Sequence, residues 1–177
     1  MFIADQKKQD NIIDYLLYIW HVEDLLRGFN LDIQRVRINV IDRSGYHHQE
    51  KTALEDFYLH VIQLMRKEGK IDKGHVSFVQ EILMELSYLH QMLLYITKDP
   101  RYKGLFEKCA SEIEFLHQKN PLNKSDIEVI LEAFYGRIVL RLSGKKISEE
   151  TAESLKKMSD LMDYLAKEYK KLKEQSA

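Results

Sequence analysis

The segment between Asn11 and Phe29 constrains the fold more than any other part of this chain. Placed on a helix, its apolar side chains occupy nearly every side of that helix. A helix that is apolar all round is stable only when other elements surround it, so we expect this segment to lie inside a helical bundle. Its apolar residues are Ile12, Ile13, Tyr15, Leu16, Leu17, Tyr18, Ile19, Trp20, Val22, Leu25 and Leu26.

Helical spacing of apolar residues continues through the rest of the chain, and helix-start signals separate the segments. Asp99 followed by Pro100 is one such signal, and Ser125 with Glu128 forms a capping box. Ser148 is predicted to cap the last helix. The predicted helices cover about residues 6–28, 33–41, 49–68, 79–94, 99–117, 125–142 and 148–172.

The connections between these helices are short. Gly28 is predicted to end the first helix in a left-handed conformation, and Asn30 is predicted to cap the next one. The segment from Val36 to Val40 also alternates as a strand would, although we favour a short helix there. Asn120 and Pro121 are predicted to stop the helix before the capping box.

Two prolines and seven glycines in 177 residues leave few interruptions for long helices. No linker or internal repeat divides the sequence, and short loops favour antiparallel neighbours. We therefore predict an all-α fold, with residues 1–177 forming a single domain. The expected architecture is an up-and-down helical bundle of about four long helices plus shorter accessory helices.

Charge and cysteine usage limit the function classes. The formal net charge of −1 provides no basic field for a phosphate backbone, so no nucleic acid partner is indicated. The single cysteine, Cys109, cannot form an intrachain disulfide. Charged residues near the N-terminus do not fit a secretory signal, and Asp14 interrupts an apolar run too short to span a bilayer. We expect a soluble cytoplasmic protein without a membrane association.

Metal binding is the first chemistry to consider. Glu114 and His117 have the Glu-x-x-His spacing of di-metal helical bundles, but such sites need a second pair, and Asp72 with His75 lies in a predicted loop. His60 and His90 adjoin apolar stripes, where a hydrogen-bonded bundle histidine is commoner than a ligand. The histidines available to a mononuclear site are His21, His47, His48, His60, His75, His90 and His117.

Other catalytic patterns are incomplete. Arg43 and His48 have a spacing found in some all-helical ribonucleases, where arginine binds phosphate and histidine transfers protons. Cys109 has no adjacent histidine to activate it, and the sequence lacks a Gly-x-Ser-x-Gly motif. We interpret Gly136 as a position that permits close helix packing. The sequence assigns no catalytic, cofactor-binding or metal-binding residue, and we expect no cofactor.

Acidic residues inside the first predicted helix suggest an internal ion pair. Glu23 and Arg27 are four residues apart, with Asp24 beside them, and Asp14 lies earlier in the same predicted helix. A carboxylate buried among apolar residues requires a partner. We therefore favour a structural network over an acid–base site for these residues.

Three stretches resemble a known family. They are Met1-Phe-Ile-Ala-Asp-Gln-Lys-Lys with the continuation from Tyr15 to Arg27, Met65-Arg-Lys-Glu-Gly69, and the segment from Ala133-Phe-Tyr-Gly136 through Leu142. Together they resemble an uncharacterised bacterial family of small all-helical proteins, a domain of unknown function. The resemblance covers nearly the whole chain and implies a small cytoplasmic helical protein. It supplies no activity and no site residues.

Abundant apolar helix surface without a complete catalytic motif favours a non-catalytic interaction or structural protein. Its expected partners are a second copy of the chain, forming a homo-oligomer, or another protein. One alternative is a metal-dependent or ribonuclease-like helical enzyme that uses the residues above. A second alternative is a small-molecule sensor, with flexible methionines around a cavity. The methionines considered for that cavity are Met84, Met92, Met158 and Met162.

Overall fold

The computed structural model describes residues 3–120 and 124–175, with side chains described from residue 6 onward. These residues form helices joined by turns, and no strand occurs among them, so the predicted all-α class is confirmed. The helices are α1 (Ile3–Asp10), α2 (Ile12–Gly28), α3 (Ile33–Val36), α4 (His48–Lys67), α5 (Ser77–Gln91), α6 (Pro100–Lys119), α7 (Asp126–Leu142) and α8 (Glu149–Gln175). Two π-helical turns, Arg37–Ile41 and Met92–Ile96, continue α3 and α5.

Contacts divide the chain into two compact units. The first comprises the described parts of residues 1–10 and 14–81, and the second those of residues 11–13 and 82–177. Within the described residues, no helix is both long and apolar enough to cross a membrane.

In the first unit, aromatic side chains join α2 to α4. The ring of Tyr18 is stacked on that of Phe57, with 6.4 Å between centroids. Burial raises the pKa of both Tyr18 and Tyr58, so their phenols stay protonated within this packing. The helix α4 is amphipathic, and its buried residues are Leu54, Tyr58, Val61, Ile62 and Met65.

The start of the chain differs from the prediction in two ways. The predicted helix over 6–28 is interrupted at Asn11, whose side-chain Oδ1 accepts from the N–H of Ile13 at 2.8 Å and begins α2. Beyond Gly28, the left-handed backbone lies at Asn30 and Leu31, with φ of 55° and 57°. The predicted cap at Asn30 is wrong. Asp32 caps α3 instead, because its carboxylate accepts from the N–H groups of Gln34 and Arg35.

In the second unit, α6 and α8 pack antiparallel. The hydroxyl of Tyr164 donates to Asp99 at the start of α6 at 3.0 Å, and Lys157 binds Glu112 farther along at 2.6 Å. The hydroxyl of Tyr169 donates to Glu85 at 2.5 Å and so joins α8 to α5. The apolar seam of α8 is buried from Leu155 to Tyr169, whereas Leu172, beyond it, is 40% exposed.

The capping predictions for the later helices are confirmed. Asp99 accepts from the N–H groups of Arg101 and Tyr102, and Ser125 with Glu128 forms both hydrogen bonds of a capping box. Ser148 accepts from the N–H of Thr151 at 3.2 Å at the start of α8. The helix that precedes α7 ends at Lys119, and the predicted stop residue Pro121 lies outside the described residues.

Gly136 does not serve the close packing proposed for it. It lies inside α7 and is exposed, and a Cβ built on it would meet nothing within 4 Å. Gly144 ends the same helix with a φ of +71°, in the left-handed region that disfavours residues with a Cβ. The backbone conformation therefore favours glycine at position 144 but not at position 136.

We expect Gly136→Ala to raise the free energy of unfolding by about 0.5–1 kcal/mol, because alanine restricts the unfolded chain and favours helix. Gly144→Ala should lower it by about 1 kcal/mol, because alanine is strained at that φ. Urea unfolding of both variants measures the two changes. A loss of stability in Gly136→Ala would contradict the open surroundings of this residue.

Candidate functional sites

Glu23 is the buried carboxylate of the first unit, with its side chain fully enclosed. It lies on α2 and faces the loop between α4 and α5. Its Oε2 lies 2.5 Å from Nδ1 of His75, and its Oε1 accepts from the N–H of Val76 at 2.9 Å. Trp20, one helical turn earlier, lies parallel to the His75 ring at 4.4 Å. We call Trp20, Glu23 and His75 the Glu23 cluster.

Arg27 and Glu68 fix the remainder of this loop. The guanidinium of Arg27 donates to the backbone carbonyls of Lys70 and Gly74. The carboxylate of Glu68 accepts from both the N–H and the hydroxyl of Ser77, at 2.6 and 2.8 Å, and thereby caps α5. Polar contacts therefore hold both ends of the loop.

The internal ion pair differs from the one predicted. Arg27 pairs with Asp24 at 2.9 Å, whereas Glu23 turns toward His75. Asp14 and Asp24 are exposed, so Glu23 is the member of the acidic set that lies inside. The prediction that a buried member would belong to a structural network agrees with these contacts. The sequence pointed to His75 only as a candidate metal ligand, whereas in the structure it contacts Glu23.

A second polar cluster, partly buried, joins three helices of the second unit. Asp126, at the start of α7, lies with Oδ2 3.1 Å from Nε2 of His90 on α5 and with Oδ1 2.7 Å from Nε2 of His117 on α6. The other ring nitrogen of His90 lies 2.7 Å from the hydroxyl of Tyr102. We call Tyr102, His90, Asp126 and His117 the Asp126 cluster.

The directions of these hydrogen bonds follow from ionisation. Hydrogen bonds from His90 and then from His117 lower the pKa of Asp126 against the opposing effect of burial, so its carboxylate is ionised and accepts both bonds. Burial raises the pKa of Tyr102, so its phenol can donate to Nδ1 of His90. The ring proton of His90 then lies on Nε2, facing Asp126.

The histidines do not form a metal site. Among the described residues, no three His, Cys, Asp or Glu side chains are placed to hold a metal ion. His90 and His117 direct their Nε2 atoms at the two oxygens of Asp126 and not at a common point. Glu114 is exposed and accepts from Gln118, so it does not join His117 in a ligand pair.

The remaining candidates of the sequence lie apart from these clusters. Arg43 and His48 are both exposed and share no hydrogen bond or ion pair where the structure describes the chain. His60 is exposed on α4, so its predicted place as a hydrogen-bonded bundle histidine is wrong, whereas that of His90 is confirmed. Burial raises the pKa of the Cys109 thiol to about 11, which disfavours the thiolate needed by a nucleophile.

Sequence reasoning did not identify Asp126 or Tyr102. Asp126 follows the Ser125 cap, where an acidic residue is expected for the helix dipole alone. Tyr102 is one of ten tyrosines and has no distinguishing neighbour in sequence. The only available signal was the position of His90 on an apolar stripe, because a buried imidazole requires a polar partner.

An exposed apolar surface also occurs in the second unit, where α7 turns into α8. The last two turns of α7 leave Val139, Leu140 and Leu142 exposed by 42%, 38% and 67%. The exposed side chains between Gly136 and Glu150 are named the hairpin surface. The same helix buries Ile127, Val129, Ile130 and Leu131 in its first two turns.

We expect Glu23→Ala to lower the free energy of unfolding by about 3 kcal/mol, because it removes both hydrogen bonds from Glu23 to the loop, although those of Arg27 remain. Glu23→Gln keeps an oxygen for the N–H of Val76 and should cost about 1 kcal/mol. Asp24→Asn, which changes an exposed carboxylate of the same helix, is the control and should change stability by less than about 0.5 kcal/mol. Hydrogen exchange at the Val76 amide, which should accelerate in Glu23→Ala alone, checks the local cause.

Asp126→Asn should lower the free energy of unfolding by about 2 kcal/mol near neutral pH, because an amide presents only one oxygen to two histidine donors. Folding lowers the pKa of Asp126 below its value in the unfolded chain, which is about 3.9. The ionised carboxylate therefore contributes its full stabilisation of the fold above that unfolded pKa, and this stabilisation is lost as the pH falls through the folded pKa. The difference in the free energy of unfolding between Asp126→Asn and the unsubstituted protein should therefore become smaller in acid.

Urea unfolding over a pH series measures this difference, with the exposed Asp160→Asn as the control. A difference that stays constant from neutral pH into strong acid would show that the charge of Asp126 does not stabilise the cluster.

The chain was compared with known protein families, curated proteins and solved structures. Neither the curated proteins nor the solved structures gave a match. A family model described as Domain of unknown function (DUF4924) matches residues 1–176 and confirms the resemblance to an uncharacterised all-helical family. The chain belongs to the DUF4924 family.

Proposed function

We propose that this protein is a non-catalytic helical interaction protein that self-associates through the hairpin surface. The observation that carries the proposal is the exposure of Val139, Leu140 and Leu142 near the end of a helix whose apolar residues are buried in its first two turns. Exposed aliphatic side chains grouped within one turn of a helix favour a surface that another protein covers. A helix that is apolar on several sides requires such cover.

The charges around these aliphatic residues favour a second copy as the partner. Residues 133–148 contain Arg137, Arg141, Lys145 and Lys146 and no acidic residue. The first turn of α8 carries Glu149 and Glu150. All six charged side chains are exposed, and where the structure describes the chain none of them forms an ion pair.

This distribution is self-complementary. In a twofold dimer the same surface meets itself, with each residue facing a different residue of the partner. The basic end of α7 in one copy can then face the acidic start of α8 in the other, around a centre formed by the aliphatic side chains. Such pairing fixes orientation and disfavours partners with the wrong charge.

The two buried clusters support a non-catalytic role. Both oxygens of Glu23 and both oxygens of Asp126 bind groups of the same unit, which joins helices and loop. A general base instead presents an atom to substrate. Cys109, the only cysteine, is buried as a thiol, which fits a reducing compartment, and we assign the protein to the bacterial cytoplasm.

Leu142→Asp should weaken self-association at least about tenfold, because it places a charge at the centre of the apolar contact. Sedimentation velocity over a concentration series measures the dissociation constant. Met84→Asp is the matched control, because Met84 is also an exposed apolar residue, at 64%, and lies outside the hairpin surface. A monomer at every concentration, or equal weakening by both variants, would overturn the proposal.

Charge reversal tests the orientation of the two copies. Arg137→Glu with Arg141→Glu, and separately Glu149→Lys with Glu150→Lys, should each weaken the homodimer. A mixture of the two double variants should form a heterodimer, because the reversed charges are again opposite. If the variants associate with themselves as well as the unsubstituted protein does, the proposed charge pairing is wrong.

A further inference from the structure

A concave surface lies between the first turn of α6 and the second half of α8, within the second unit. Its volume is about 350 Å³, within the range of small-ligand sites. Arg101 contributes from α6, and Tyr164, Lys167, Lys170 and Lys171 contribute from α8. We call this surface the α6–α8 cleft. It is separate in sequence from the hairpin surface.

Positive charge is concentrated in the cleft. Its lining includes four cationic side chains and two carboxylates, those of Glu168 and Glu174. Glu168 is already paired with Lys171 at 2.6 Å. Within the described part of the chain, Lys167 and Lys170 form no ion pair. This excess is notable because the whole protein has a net charge of −1.

Arg101 is held in an orientation suited to an anion. Its guanidinium lies over the ring of Tyr164, 5.4 Å from the ring centroid. The hydroxyl of Tyr164 is in turn fixed by Asp99. Asp99 also accepts from the N–H groups of Arg101 and Tyr102, so its oxygens are engaged within the protein. A planar guanidinium supported in this way can bind two oxygens of one phosphate group.

We propose that the α6–α8 cleft binds a small anion with adjacent phosphate groups, such as pyrophosphate or the phosphate chain of a nucleotide. Arg101 binds one phosphate through its fork of N–H groups, and Lys167 and Lys170 neutralise the next as point charges. A single monovalent anion would leave much of this positive charge unused.

Isothermal titration calorimetry with sodium pyrophosphate and with ATP, at ionic strength held constant with sodium chloride, tests the proposal. The unsubstituted protein should give saturable binding with a submillimolar dissociation constant. The triple variant Arg101→Gln, Lys167→Gln, Lys170→Gln should bind at least about tenfold more weakly. Circular dichroism and unfolding of this variant check that exposed substitutions leave the fold intact.

The control is a triple variant that removes three exposed positive charges elsewhere, Lys108→Gln, Lys119→Gln and Lys156→Gln. It should retain pyrophosphate affinity within about twofold if the cleft, and not net charge, is responsible. Equal loss in both triple variants, or no saturable binding in the millimolar range, would overturn the proposal.

A phosphate-bearing lipid headgroup has the same chemistry, so a second arm uses vesicles of phosphatidylcholine with and without phosphatidylinositol bisphosphate. Pyrophosphate should bind in solution, and neither vesicle should sediment the protein. Binding to the bisphosphate vesicles without binding to pyrophosphate or ATP would overturn the assignment to a soluble ligand.

Discussion

The carboxylate of Asp126 is the interaction on which the second unit most depends. Through His90 and His117 it joins α5, α6 and α7, and Tyr102 extends the chain of hydrogen bonds into the core. Each member satisfies a group that would be costly to bury alone. The network therefore sets where α7 begins relative to α5 and α6. Glu23 has the corresponding role in the first unit, where it sets the course of the loop that leads into α5.

The parts of this structure that sequence predicts well are those decided by near neighbours. Helical spacing located the long helices, and the Ser125–Glu128 capping box spans only three residues. Glu23, by contrast, finds its partners 52 and 53 residues away. Its partner could not be chosen between Arg27 and His75 from spacing alone, because the loop that brings His75 to α2 has no helical period.

The periodicity of apolar residues also did not determine which of their side chains are exposed to solvent. The apolar residues of α7 continue without change of pattern from Ile127 to Leu142, yet the first turns are buried and the last are exposed. A pattern along one helix shows that a face must be covered. It does not show whether the same chain or another chain covers it. The exposed end of α7 is therefore information that only the packing of the other helices supplies.

The long helix α8 contributes to the core and to both proposed surfaces, the hairpin surface and the α6–α8 cleft. Its middle, from Leu155 to Tyr169, is buried and tied to α6 and α5. Both ends extend beyond that buried seam and carry opposite charges, with glutamates at the start and lysines at the end, each complementary to the helix dipole. Because the middle of the helix is fixed by packing, its ends can present charged groups in defined positions without a separate supporting element. A 27-residue helix with a buried middle thus presents acidic side chains at its start and basic side chains near its end.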